Sequence, residues 1–176
     1  MKKSVFLSFV SILFGAHIVF AGGLDDNVAT YKNGANEVIK AVVDGKITQQ
    51  NADQYMAKVN KLIIVGKEIA AEVITQKPEG KKFLEYVVKN GDKAKTESLE
   101  EIDAQWHRGD VFKEAGIEHN KFDHYGPIIA AKDAYIQSIS SYIALKNYRQ
   151  SGDSKMLDIV REELEEVVGQ LQYVNK

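Results

Sequence analysis

An all-α fold, an up-and-down four-helix-type bundle with an irregular segment around residues 107–126, is predicted by three observations. Apolar residues recur at alternating spacings of three and four along most of the chain, the mark of a helix with one buried face. Short turn-forming stretches separate the long patterns, which favours antiparallel neighbours. No segment alternates with the period of two that a half-buried strand requires.

The first element in order is an expected export signal, residues 1–21, to be cleaved from a single helical domain, residues 22–176. Lys2 and Lys3 form a charged start, Val5 to Phe20 an apolar stretch, and Val19-Phe20-Ala21 offers a small residue to a signal peptidase. A retained anchor is the competing reading, because the uncharged run approaches the ~20 residues that span a bilayer. Ser8, Ser11, Gly15 and His17 dilute that run, and Asp25 and Asp26 follow it in place of a basic stop-transfer cluster. Cleavage after Ala21 or Gly22 is therefore expected, with a periplasmic or secreted destination and no stable membrane anchor.

From Leu24 onward, Val28, Tyr31, Ala35, Val38 and Val42 make one stripe that ends near Gly45, with Asp25 or Asp26 expected as cap. Thr48 is expected to cap a second helix with a stripe through Tyr55, Val59, Leu62, Ile63, Gly66, Ile69 and Val73. Pro78 ends that helix or opens the next, which carries Phe83, Leu84, Val87 and Val88 up to Asn90-Gly91. Ser98-Leu99-Glu100-Glu101 has the form of a capping box, and Leu99, Ile102 and Trp106 share a face beyond it. Periodicity lapses from His107 to Gly126. Pro127 suits the first turn of a helix, where its missing N–H costs nothing. Ile128, Ala131, Tyr135, Ile139, Tyr142 and Leu145 follow on one face. Ser151-Gly152-Asp153-Ser154 reads as turn and cap, and Leu157, Val160, Leu164, Val167 and Leu171 stripe the last helix. Glu162-Glu163 and Glu165-Glu166 are read as its solvated face.

Composition excludes several functions. The chain has no cysteine, so lipid attachment at a cleaved N-terminus, covalent c-type haem and disulfide stapling are all ruled out. About 155 residues remain after cleavage, enough for one domain to stand on its hydrophobic core. Without Lys2 and Lys3 the basic count falls from 23 to 21 against 25 acids, a net charge near −4 with interleaved signs. Nucleic acid and anionic lipid both call for a basic face and are not expected partners.

The histidines that survive cleavage, His107, His119 and His124, all fall in the aperiodic segment. Asp103 lies one helical turn before His107, and Asp123 adjoins His124. Asp103, His107, His119, Asp123 and His124 are accordingly the candidate ligands of a divalent transition metal, Zn, Cu or Ni, which imidazole and carboxylate together suit. Trp106 and Tyr125 are expected to wall the site. The spacing matches no established metal signature, and the competing reading has the histidines bonding backbone groups to pin a loop.

Gly23-Leu24-Asp25-Asp26-Asn27 is similar to the start of the soluble b-type cytochrome bundles, which hold haem between facing helices. Val28 stands where that family's axial Met falls, and the last helix has no His, so the haem ligand pair is missing. Nucleophilic catalysis finds no Cys and no Gly-x-Ser-x-Gly. The reading is therefore a non-enzymatic exported binding protein that takes a metal or small ligand at the central His/Asp cluster. Its alternative is a structural or sensory bundle with no small ligand that binds an envelope protein through tyrosines such as Tyr135 and Tyr142, with a homodimer as a separate option.

Overall fold

The computed structural model describes residues 23–118 and 121–175, so the export-signal segment and His119 lie outside the described residues. Among the described residues, seven α-helices run in the order α1 (Leu24–Val43), α2 (Ala52–Gln76), α3 (Lys81–Asn90), α4 (Leu99–Ile102), α5 (Asp110–Glu114), α6 (Pro127–Ser151) and α7 (Lys155–Gln170). The four long ones form the bundle: α2 packs between α1 and α6, α6 between α2 and α7, and α7 closes the ring against α1. Cross-pairs give the antiparallel sense. Asn27 of α1 donates to Glu72 of α2 at 2.8 Å, and Arg149 near the end of α6 pairs with Asp53 near the start of α2. No helix among the described residues is long and apolar enough to cross a membrane.

The expected stripes of α1, α2 and α7 face the core: Tyr31, Val38, Val59, Ile69, Val160 and Leu164 are shielded from solvent, and Val42, Tyr55 and Leu157 at the stripe ends are partly buried. Several expected caps are replaced. Gly23, with Asp25 and Asp26 in the first turn, stands at the start of α1. Asn51 occupies the cap position of α2, and its side chain ties the preceding turn, accepting from Thr48 N at 2.8 Å and donating to Lys46 O at 2.9 Å. Pro78 opens a single 3₁₀ turn that leads into α3. The capping box of α4 forms as read: Glu101 N donates to Ser98 Oγ at 3.2 Å while Ser98 N donates to Glu101 Oε2 at 2.7 Å. Replacing Ser98 by Ala should cost about 1 kcal/mol in urea denaturation, the usual value of such a cap. An unchanged midpoint would show that packing alone holds α4.

α6 departs most from the expectation. One stripe was predicted, yet apolar residues occupy its whole circumference and it is buried from Ile128 to Ser141. Helices α2, α3, α4 and α7 and the 3₁₀ turn Gly91–Thr96 pack against it. Close approach makes this possible. A Cβ at Gly66 of α2 would lie 2.6 Å from the carbonyl carbon of Ala134 and 2.9 Å from Tyr135 N, so α2 rests directly on the α6 backbone. Burial on all sides carries Lys132, Asp133, Gln137, Ser138, Ser140 and Ser141 into the interior. Ser138 is satisfied there, 2.6 Å from the Tyr31 hydroxyl and donating to Ala134 O at 2.8 Å.

The irregular segment is more ordered than its sequence suggests. α4 runs into a π-helical turn, Asp103–His107, closed by Arg108 N donating to Asp103 O at 2.9 Å. α5 follows, with Val111 and Phe112 buried. Aromatic packing holds the segment down. Phe112 stacks on Phe83 of α3 with centroids 4.5 Å apart, Phe122 packs beside the same ring at 5.6 Å, and Trp106 is fully buried with its Nε1 donating to Glu97 at 3.1 Å.

Candidate functional site

Between α6, α7 and the segment 99–124 lies a cavity of about 600 Å³. Its floor belongs to α6. Lys132 and Asp133 are adjacent, buried and mutually paired at 2.5 Å, and Lys132 Nζ also donates to the Trp106 carbonyl at 3.2 Å. That second bond depends on the π turn, which directs the carbonyl toward α6; such turns concentrate at functional sites. Gln137 and Ser140 extend the floor one and two turns further along. α7 contributes Glu162, Glu163 and Glu166, and the π turn contributes Asp103 and His107. Leu99, Phe112, Phe122, Ile129 and Ile159 supply the apolar wall.

Of the buried side-chain atoms in this lining without a hydrogen bond, Asp133 Oδ1 is met by the Lys132 ammonium, whereas three have neither a hydrogen-bond nor an ion-pair partner: His107 Nε2, Gln137 Oε1 and Glu163 Oε2. Buried polar atoms are almost always paired, and each orphan costs about 1–3 kcal/mol. All three belong to residues that line this one cavity. Their protonation follows from the surroundings. Burial lowers the pKa of His107, with Lys132 acting the same way against the opposing pull of Asp133 and Asp103, so the ring is neutral at pH 7. Burial pushes Glu163 up to about 8, reinforced by Glu166, Asp133 and Asp103 and opposed by Lys132.

That shift has a thermodynamic consequence. The folded protein holds a proton on Glu163 across the interval from the ordinary carboxylate range to about pH 8, whereas the unfolded chain has released it. Stability must therefore fall as pH rises through that interval and level off above it. Glu163→Gln should flatten the slope and raise the melting temperature at alkaline pH. A melting profile with the same pH slope in both proteins would contradict this assignment.

The sequence-derived candidates separate in space. Asp103, His107 and His124 line the cavity. Asp103 is half exposed and pairs with Arg108 at 2.9 Å. Asp123 is exposed, and its carboxylate accepts from Tyr125 N at 3.0 Å. His119 lies outside the described residues. Among those described, no group of three or more His, Cys, Asp or Glu is arranged to hold a metal ion.

Three expectations about the surroundings are corrected. Neither Trp106 nor Tyr125 lines the cavity: the Trp106 ring is spent in the core, and Tyr125 is exposed, edge-on to His124. His107 does not pin the loop through Nε2, which has no partner; the Phe83, Phe112 and Phe122 rings do so. Glu163 does not belong to the solvated face of α7, because its position flanks the Val160–Leu164–Val167 stripe on the side turned to α6.

The tyrosines divide in the same way. Tyr135 is fully buried, whereas Tyr142 lines a second cavity of about 410 Å³ with Asp53, Lys95 and Arg149 on the α2–α6 flank. Large apolar side chains exposed among the described residues are Val43, Ile64 and Tyr125, one each from α1, α2 and the loop before α6. Singly scattered residues of this kind are ordinary surface.

Lys132, Asp133, Gln137 and Glu163 escaped the sequence reading. One signal for the first three was present: a helix apolar on every face is a buried helix, so its polar residues are buried with it.

Fold and site together define an all-α four-helix bundle with a polar-floored, solvent-open cavity between two bundle helices and an aromatic-anchored segment. No family model, curated protein or solved structure matches the chain.

Proposed function

We propose that this chain is an exported, non-enzymatic binding protein that takes a small molecule into the cavity between α6, α7 and the segment 99–124. The observation that carries the reading is that three residues lining one cavity, His107, Gln137 and Glu163, each hold a buried side-chain atom without a partner. The volume is that of an ordinary small-molecule pocket, and ten of its fifteen lining residues are polar or charged, which suits a polar ligand. Export rests on the charged and apolar opening of the sequence. N-terminal sequencing of protein recovered from an envelope fraction should begin at Gly22 or Gly23; an intact Met1 would contradict it.

The test of binding is native mass spectrometry of the mature chain purified from its own compartment. A reproducible adduct should be present, and the double variant His107→Ala, Gln137→Leu should lose it while keeping its helical circular dichroism. An adduct retained in that variant would place the ligand elsewhere.

A transition metal is the second reading, favoured by the presence of Asp103, His107 and His124 on the same cavity. It requires His119 to complete the donor set. A melting shift with Zn, Cu or Ni that disappears in His119→Ala, His124→Ala would establish it, and no shift with any of the three would remove it.

A further inference from the structure

We propose that the ligand of this cavity is a small organic cation carrying a primary ammonium group, held by His107, Gln137 and Glu163. The inference rests on the small-ligand reading above and adds the chemical class.

Hydrogen-bond inventory is the first argument. Gln137 Oε1 is an acceptor, and Glu163 Oε2 is one when ionised. His107 Nε2 is an acceptor in the neutral ring that carries its proton on Nδ1. A primary ammonium presents three donors and no acceptor, so it complements three orphan acceptors. Lys132 does not already play this part, because its ammonium is engaged by Asp133 at 2.5 Å and the Trp106 carbonyl at 3.2 Å.

The sign of the local field is the second. Glu162 and Glu166 line the same cavity from α7, and Asp103 lines it from the π turn. Glu163 is surrounded by Glu166 on its own helix, Asp133 and Lys132 on α6, Asp103 and His107 on the π turn, and Tyr31 on α1. Lys132 is the sole positive charge in that set and pairs with Asp133, Arg108 pairs with Asp103 and Arg161 lies 3.9 Å from Glu162, which leaves Glu166 and, once ionised, Glu163 without a cationic partner. An anion entering this lining meets repulsion, whereas a cation relieves it. Lys132 also disfavours a doubly charged metal ion more than a singly charged ammonium, since repulsion scales with the product of charges. The Phe112 and Phe122 rings on the wall suit the alkyl body of such a ligand, and an aromatic face attracts cations.

Binding should be linked to proton release. The resting protein carries a proton on Glu163, and an ammonium beside it favours the carboxylate, so about one proton leaves as the amine binds near neutral pH. Amine affinity should rise about tenfold per pH unit below the Glu163 pKa and flatten above it.

The experiment is calorimetric titration of the mature chain with butylamine, putrescine, butanol, butyrate and zinc chloride, repeated in two buffers of different ionisation enthalpy. The expected result is binding of an amine with proton release, no binding of butyrate, and at least a tenfold weaker amine affinity without proton release in Glu163→Gln. That variant neutralises a buried acid isosterically and should fold at least as well as the parent. Butyrate, butanol or zinc binding more tightly than either amine, amine binding without proton release, or no binding by either amine would each overturn the proposal. Butyrate, butanol or a native adduct of another class bound in the cavity would leave the small-ligand reading standing while removing the cation.

Discussion

Replacing Gly66 by Ala should lower the stability of the bundle by about 3 kcal/mol, at the upper end of what overpacking usually costs. The added methyl would collide with the carbonyl of Ala134, and backbone on α6 cannot move aside as a side-chain tip can. Relief requires α2 and α6 to separate along their whole contact, loosening Ile63, Ile69 and Ile136 together. For a domain of this length the melting temperature should fall by about 6–12 °C. Gly34→Ala is the internal comparison: its Cβ would meet only the Cδ2 end of Leu62, at 2.9 Å, which a rotamer change can clear. Equal losses at the two glycines would show that helix-to-helix contact at Gly66 is not what limits the packing.

Trp106→Ala should be similarly severe, about 3–5 kcal/mol, because it removes the largest fully buried side chain and leaves a void that its neighbours fill only in part. The loss extends to the site. Trp106 is in the π turn that places His107, and its own carbonyl holds Lys132. A collapsed or mobile turn would release both, so ligand binding should fall with stability. Trp106→Phe keeps most of the volume and the backbone while giving up the bond to Glu97. It should cost less than half as much and retain binding. If Trp106→Ala binds ligand as the parent does, the turn is not part of the site's support.

The two glycine positions and the tryptophan also mark how far the fold could be read beforehand. Helical spacing identified α1, α2, α6 and α7, and the chemistry of Pro127 and Ser98 located two starts, because each of these signals acts through neighbours a few residues away. Gly66 showed only as a member of a stripe. Its close contact with Ala134 depends on chain from α6, which local pattern does not contain. α6 itself was misread as one-sided, since Tyr135, Ile139 and Tyr142 make a convincing stripe while Ile129, Ile136 and Ile143 make another on a different face. Without the second stripe, Lys132, Asp133 and Gln137 belong in solvent; with it they are the floor of the cavity.

The histidine cluster was visible because imidazoles are rare, and Asp103, His107 and His124 do line one cavity. Glu163 was not visible, because its neighbours Glu162, Glu165 and Glu166 give the last helix the look of a fully solvated acidic face. Only the approach of α6 on one flank distinguishes it from them. Asp123 differs in the other direction: beside a histidine in sequence, it spends its carboxylate on the Tyr125 backbone.

On the function proposed above, a small ligand occupies the cavity lined by Lys132, Asp133, Gln137 and His107 in the working protein. Native mass spectrometry of the mature chain from its own compartment, set beside the His107→Ala, Gln137→Leu variant, tests it most directly. A single adduct of small-molecule mass in the parent, absent from the folded variant, is the predicted result. A parent that carries no adduct, or a variant that carries the same one, would contradict it.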